Sequence, residues 1–190
     1  MFNFTSISLL SLMSGIQKLD IGILKSIFEN RIPGLDTIFI FITNSAGAIA
    51  FGAPIILFLI ALKRKIPGLR KEALMILIPV ALSAILANIL KYIFDAPRPY
   101  EVYTFIHKLS VGGSPSFPSG HTADAFAFAV AMGMVYRKWS IIIPVFIWAG
   151  LVGYSRMYLG VHFPTDVVGG AFIGAACSYS YVLYTKRKYK

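Results

Sequence analysis

The chain alternates between long apolar runs and short polar breaks, and the runs have the length of membrane crossings. Residues 36–62 exceed the about 20 apolar residues that a helix needs to span a bilayer. Further apolar segments occupy 72–94, 120–136, 141–154 and 164–184. The opening segment, 1–32, reads differently. Ile16, Leu19, Ile23 and Ile27 recur at helical spacing, with Lys18, Lys25 and Glu29 on the opposite face. This pattern predicts either an amphipathic helix on the membrane surface or a first crossing. The stretch before Ile16 lacks the basic start and small-residue cleavage site of a signal peptide. Residues 95–118 form a polar and aromatic connection with four prolines, expected to be an external loop. The expected fold is all-α: a single membrane domain over residues 1–190, built as an integral membrane bundle of five to six transmembrane helices.

Composition sharpens this picture. The 190 residues are 57% hydrophobic and 14% charged, whereas a soluble domain carries about 25% charged residues. A net charge of +10 would fit a nucleic-acid binder, but the basic residues sit in short clusters between apolar runs. Most lie at Lys63–Lys71, Arg137-Lys138 and the last five residues. With five spans these three places share one side, which the positive-inside rule makes cytoplasmic. A multi-pass protein of the cell (inner) membrane follows, with a cytoplasmic C-terminus. The single cysteine, Cys177, excludes an intrachain disulfide and a thiolate metal cluster, and reads as a packing residue.

Against that apolar background the stretch SRMYLGVHFPTD, Ser155 to Asp166, is out of place. Charged groups at a bilayer edge are costly unless they meet partners or a ligand. Pro164 suits a first helical turn, which puts His162 just before a helix N-terminus and Asp166 within its first turn. Two other stretches reach the same, non-cytoplasmic face. One is Lys91-YIFDAP-Arg98-Pro99, at the end of the second span. The other is Pro118-Ser119-Gly120-His121, where Ser119 is a good N-cap and Gly120 allows close approach of a ligand to the backbone.

Each stretch has an ordinary reading when taken alone: a snorkelling lysine, a helix cap with an interfacial histidine, an acid complementing a helix dipole. Together, three cations, two histidines, two helix N-termini and a carboxylate suit an anion with several charged oxygens. Lys91, Arg98 and Arg156 can bind such oxygens. One histidine can attack phosphorus while the other protonates the departing oxygen, and Asp166 can orient an imidazole.

At these positions the chain resembles the type 2 phosphatidic acid phosphatases. The family pattern is K-x6-RP, then PSGH, then SR-x5-H-x3-D. Lys91, Arg98 and Pro99 match its first part, Pro118 to His121 its second, and Ser155, Arg156, His162 and Asp166 its third. The resemblance implies that His162 is the nucleophile of a phosphohistidine intermediate, that Asp166 orients it, and that His121 is the general acid. It implies phosphate binding by Lys91, Arg98, Ser119, Gly120 and Arg156, a supporting role for Ser155, and neither metal nor other cofactor. The expected substrate is a lipid phosphate or diphosphate of the undecaprenyl diphosphate or phosphatidylglycerophosphate type. It would be cleaved on the periplasmic or extracellular side. A lipid A 1-phosphatase is the nearest alternative, since the motifs read the phosphate and not the tail.

Flanking residues add weaker signals. Tyr100, Tyr103, Phe105 and Phe117 predict that the 95–118 connection lies along the membrane and borders substrate entry. His107 and Lys108 are candidates for headgroup contact. Asp124, a carboxylate in the first turns of a membrane helix, is a candidate partner for a site cation or for His121. Two readings from other classes stay open: an anion transporter lined by Lys91, Arg98 and Arg156, and a zinc hydrolase using His121, His162 and Asp166. Nucleic acid is not an expected partner, and the sequence leaves oligomeric state open.

Overall fold

A computed structural model describes residues 4–110 and 112–188. The ends of two sequence expectations, Met1–Asn3 of the opening segment and Tyr189-Lys190 of the basic tail, therefore lie outside the described residues, as does Val111 of the connection. Among the described residues the structure is helical without strands. In chain order the helices are α1 (Phe4–Glu29), α2 (Asp36–Lys63), α3 (Pro67–Phe94), the single turn α4 (Pro99–Val102), α5 (Gly120–Tyr136), α6 (Trp139–Tyr158) and α7 (Pro164–Lys188).

Among the described residues four segments are long and apolar enough to cross a membrane: Pro33–Lys63, Pro67–Val102, Trp139–Tyr158 and Pro164–Lys188. The expected span at 120–136 is present as α5 with those same bounds, but its 17 residues give a length of only about 25 Å. It sits inside the others and packs against α2, α3, α6 and α7. Ala123, Ala125, Ala127, Ala129 and Ala131 are all fully buried there, so small side chains let four neighbours close around one axis. The outer helices present Phe41, Ile93, Ile147 and Phe172 outward, a belt suited to lipid.

The tightest pair is α5 with α7. Gly170 and Gly174, one turn apart on α7, face the α5 backbone. A Cβ on Gly170 would collide with the Ser119 carbonyl, and one on Gly174 with the Ala123 carbonyl while lying 2.8 Å from the Ala127 nitrogen. This is the small-residue packing that membrane helices use in place of a hydrophobic driving force. Gly174→Val is therefore expected to force the two helices apart and destabilise the fold by about 1–3 kcal/mol or more. A lowered thermal midpoint in detergent would register this, and an unchanged midpoint would contradict the close packing.

Several helix ends differ from the sequence expectation. The α2–α3 loop shrinks to residues 64–66, because Pro67 takes the first position of α3 and draws Arg70 and Lys71 into the helix. Helix α3 ends at Phe94, as the 72–94 span predicts, capped by Asp95 in the left-handed region (φ 41°, ψ 41°). Helix α6 continues to Tyr158, so Arg156 lies in its last turn.

Helix α1 shows three faces. Ile16, Leu19 and Ile23 are exposed, Lys25 and Glu29 pair in solvent at 3.7 Å, and Asp20 and Leu24 are buried against the bundle. The helix touches α6 and α7. Its exit is tied down where Arg31 pairs with Asp36, and where the Tyr158 hydroxyl donates to the Ile32 carbonyl at 2.6 Å.

Candidate active site

The three polar stretches meet at one end of the bundle, where two hydrogen bonds join them directly and two more tie them to the connection at Pro115-Ser116. The Ser119 N–H donates to the Asp166 carbonyl (3.0 Å), joining the start of α5 to the first turn of α7. The Arg98 guanidinium donates through Nη1 to the Val161 carbonyl (2.8 Å), joining the α3–α4 corner to the loop before α7. Lys91 Nζ donates to the Pro115 carbonyl (2.6 Å). Ser116 Oγ donates to Asp166 Oδ2 (2.5 Å).

His162 and Asp166 occupy the centre. His162 is 1% exposed and Asp166 3%, burial at which a polar group needs a partner. Helix α7 begins at Pro164, so His162 lies just before it and Asp166 in its first turn, with Nδ1 of the imidazole 3.3 Å from Asp166 Oδ2. That oxygen also accepts the Phe163 N–H at 2.8 Å. With Nδ1 facing the carboxylate, Nε2 is left as the second functional nitrogen. Burial, followed by the charges of Arg156, Arg98 and Lys91, pushes the His162 pKa well below the usual imidazole value. The ring is thus neutral at pH 7, with a lone pair available. His121, the second residue of α5, is close enough for its charge to act on His162 in the same direction.

The three cations are buried as well. Arg156 is 2% exposed and donates to Thr43 Oγ1 on α2 at 2.6 Å. Arg98 donates through Nε to the Ser114 carbonyl (2.8 Å), and Gly112 packs so closely on its guanidinium that a Cβ there would lie 2.7 Å from Nη1. Lys91 lies beside Gly120, whose Cβ would meet the lysine Cε at 3.9 Å. Residues 112–116 thus form a strap whose carbonyls hold Arg98 and Lys91 in place. Ser155 is buried in α6 and bonds the Val152 carbonyl at 2.6 Å, a contact within its own helix.

Not every expectation survives. Ser119 stands at the N-cap of α5, but its hydroxyl makes no capping bond; it pairs with Thr122 Oγ1 at 2.8 Å instead. Asp124 has its Oδ1 buried, with no hydrogen-bond partner among the described residues. Lys108 bonds the Gly112 carbonyl at 2.6 Å and lies over the Tyr100 ring, closing the strap from outside. Phe117 packs against Gly169 of α7, and Tyr103 packs edge-on against Phe163, next to His162. Among the described residues no three His, Cys, Asp or Glu side chains converge as a metal site would require. Sequence reasoning missed Ser116, Thr43 and Asp20, whose carboxylate holds Thr165 (below).

Known proteins resemble this arrangement. An undecaprenyl-diphosphatase of Sulfolobus acidocaldarius is 28% identical over 173 residues, which cover 90% of this chain and 81% of that protein. The crystal structure of Aquifex aeolicus LpxE superimposes with a TM-score of 0.76 at 33% identity, covering 87% of this chain and 96% of that one. A transmembrane phosphatidylglycerolphosphate phosphatase of PAP2 type from Bacillus subtilis gives 0.78 at 25% identity, covering 98% of both chains. The PAP2 superfamily pattern matches residues 72–190, a stretch that contains all three motifs. This multi-pass membrane protein belongs to the PAP2 superfamily.

Proposed function

We propose that the protein is a membrane lipid phosphatase that works through a phosphohistidine, on a lipid phosphate or diphosphate reached from the non-cytoplasmic side. The observation that carries this reading is the buried His162–Asp166 pair at 3.3 Å within a ring of three buried cations. A neutral imidazole among Lys91, Arg98 and Arg156 has little use without an anion. A phosphoryl group supplies that anion together with an electrophilic atom.

In the proposed reaction, Lys91, Arg98 and Arg156 bind the phosphate oxygens, aided by Ser119 and the Gly120 N–H at the start of α5. Binding there requires the cations to exchange strap carbonyls for phosphate oxygens. Nε2 of His162 attacks phosphorus, a P–N bond forms, and the P–O bond to the lipid breaks. The departing oxygen takes its proton from His121. Asp166 stabilises the charge that grows on the imidazole. A water molecule then gives a proton to His121 and attacks phosphorus. The P–N bond breaks, releasing inorganic phosphate and restoring both histidines. Nothing in this cycle calls on a metal ion.

The positive-inside distribution supports an outward-facing site: Arg70, Lys71, Arg137 and Lys186 gather at the opposite end of the bundle. The names of the similar proteins favour undecaprenyl diphosphate or phosphatidylglycerophosphate, with the lipid A 1-phosphatase reading second on the likeness to a lipid A 1-phosphatase of Rhizobium etli. Purified protein in detergent, with EDTA, should release phosphate from at least one of undecaprenyl diphosphate, phosphatidylglycerophosphate, phosphatidic acid and lipid A. EDTA-sensitive release restored by zinc would instead favour a metal mechanism. No release from any lipid would favour the transporter reading.

A further inference from the structure

The N-terminus of α7 carries Asp166, and its capping is divided between two parts of the chain. In a capping box, the N-cap side chain accepts an N–H from the first turn, while the third residue reaches back to the N-cap N–H. The N-cap here is Phe163, whose carbonyl accepts the Val167 N–H. The backward half is present: Asp166 Oδ2 accepts the Phe163 N–H at 2.8 Å. The forward half cannot come from a phenylalanine. It comes instead from α1, where Asp20 Oδ1 accepts the Thr165 N–H at 3.0 Å and Oδ2 accepts the Thr165 hydroxyl at 2.5 Å.

Asp20 is 8% exposed, and with Leu24 it makes up the buried face of Ser14–Glu29. A carboxylate so placed needs its partners, and both its oxygens find them on the residue next to Asp166. Asp166 is doubly committed, since the oxygen that caps Phe163 also faces His162 Nδ1. Movement of the α7 first turn therefore moves the carboxylate that holds the imidazole.

We infer that Asp20 is a positioning residue for the reaction, supplying from the amino-terminal helix the missing half of the cap that fixes Asp166 and, through it, His162. Asp20 lies before residue 72, where the family pattern begins, so this role is not part of the three motifs. It also gives α1 a function. The helix that presents Ile16, Leu19 and Ile23 to its surroundings is latched by one carboxylate to the turn bearing the reacting pair, so displacement of α1 is transmitted to the site.

The inference rests on the phosphatase reading, and the test separates the two. Asp20→Ala, Asp20→Asn, Thr165→Val and Leu24→Ala are made in the full chain and compared with wild type in detergent. Misplacement of a reacting group by about 1 Å costs on the order of a hundredfold in rate, so Asp20→Ala is expected to lower kcat by roughly ten- to a hundredfold, with KM changed far less. Asp20→Asn keeps an acceptor for the Thr165 N–H and should restore most of kcat. The Asp20→Ala/Thr165→Val double variant should be no slower than Asp20→Ala alone. Leu24→Ala removes packing from the same face without touching the cap, and should leave kcat near wild type.

Hydrogen exchange over residues 163–168, read without substrate, should accelerate in Asp20→Ala and not in Leu24→Ala. Wild-type kcat in Asp20→Ala would overturn the inference. So would equal losses in Asp20→Ala and Leu24→Ala without rescue by asparagine. If wild type itself cleaves no lipid, the phosphatase reading fails, and unchanged exchange in Asp20→Ala would then sink the cap on its own.

Discussion

His162→Ala should release no phosphate above background from the best lipid of the panel. Loss of a catalytic nucleophile typically costs 10⁴-fold or more in kcat. The alanine removes the only side chain that forms a bond to phosphorus in the proposed cycle, while leaving Lys91, Arg98 and Arg156 to bind the headgroup. Lipid binding, followed by titration of the inactive variant, should therefore persist. Retained turnover would remove the phosphohistidine from the mechanism. A wild-type protein quenched in mid-turnover should carry acid-labile, alkali-stable phosphate that the variant lacks. A variant that neither turns over nor binds would mean that the ring also holds the site together, a reading its 1% exposure makes worth checking by thermal midpoint.

Asp166→Asn should be nearly as severe, with kcat falling by about 10³- to 10⁴-fold, as when the orienting acid of a triad is made neutral. Asp166 Oδ2 accepts from Ser116 Oγ and from the Phe163 N–H, and it faces His162 Nδ1. If asparagine turns its oxygen to that point, the bonds survive but the charge that offsets a positive imidazole is lost. If it turns its nitrogen there, a donor meets two donors and the first turn of α7 is disturbed. Either orientation slows formation of the phosphohistidine. Ser116→Ala removes one of the bonds and none of the charge, and is expected to cost far less. Equal losses in the two variants would show that geometry, and not charge, is what Asp166 supplies.

The motif residues were legible because each set is local. Lysine seven residues before Arg98, or histidine four before Asp166 across a proline-started helix, fixes geometry within one or two turns. The apolar runs likewise gave the helices, and the structure moved their ends by only a few residues. What was not legible is long-range and small. Thr43 supports Arg156 across 113 positions, and Asp20 supports Thr165 across 145. Neither residue stands out in a sequence with no periodic signal to mark it. Ser116 was hidden for another reason: it lies in a connection read for its aromatics, and its worth depends on a carboxylate 50 residues away. Helix α1 misled more subtly. Ile16, Leu19 and Ile23 of its apolar stripe are exposed, but the protein-facing strip beside it, Asp20 and Leu24, is half polar and follows no hydrophobic repeat.

The bond between Arg156 and Thr43, and that between Asp20 and Thr165, also bear on how the protein is made. Helices enter a membrane in the order of their synthesis, and domains assemble from the N-terminus. The hydroxyl and the carboxylate that steady the site are laid down first, on α1 and α2. Lys91 follows at the end of α3, Arg98 just beyond it and Arg156 at the end of α6, and the pair they surround arrives last, at the start of α7. A nascent chain therefore carries Lys91 and Arg98 before it holds the pair they surround, and a chain stopped before residue 162 is expected to be inert however well its earlier helices are inserted.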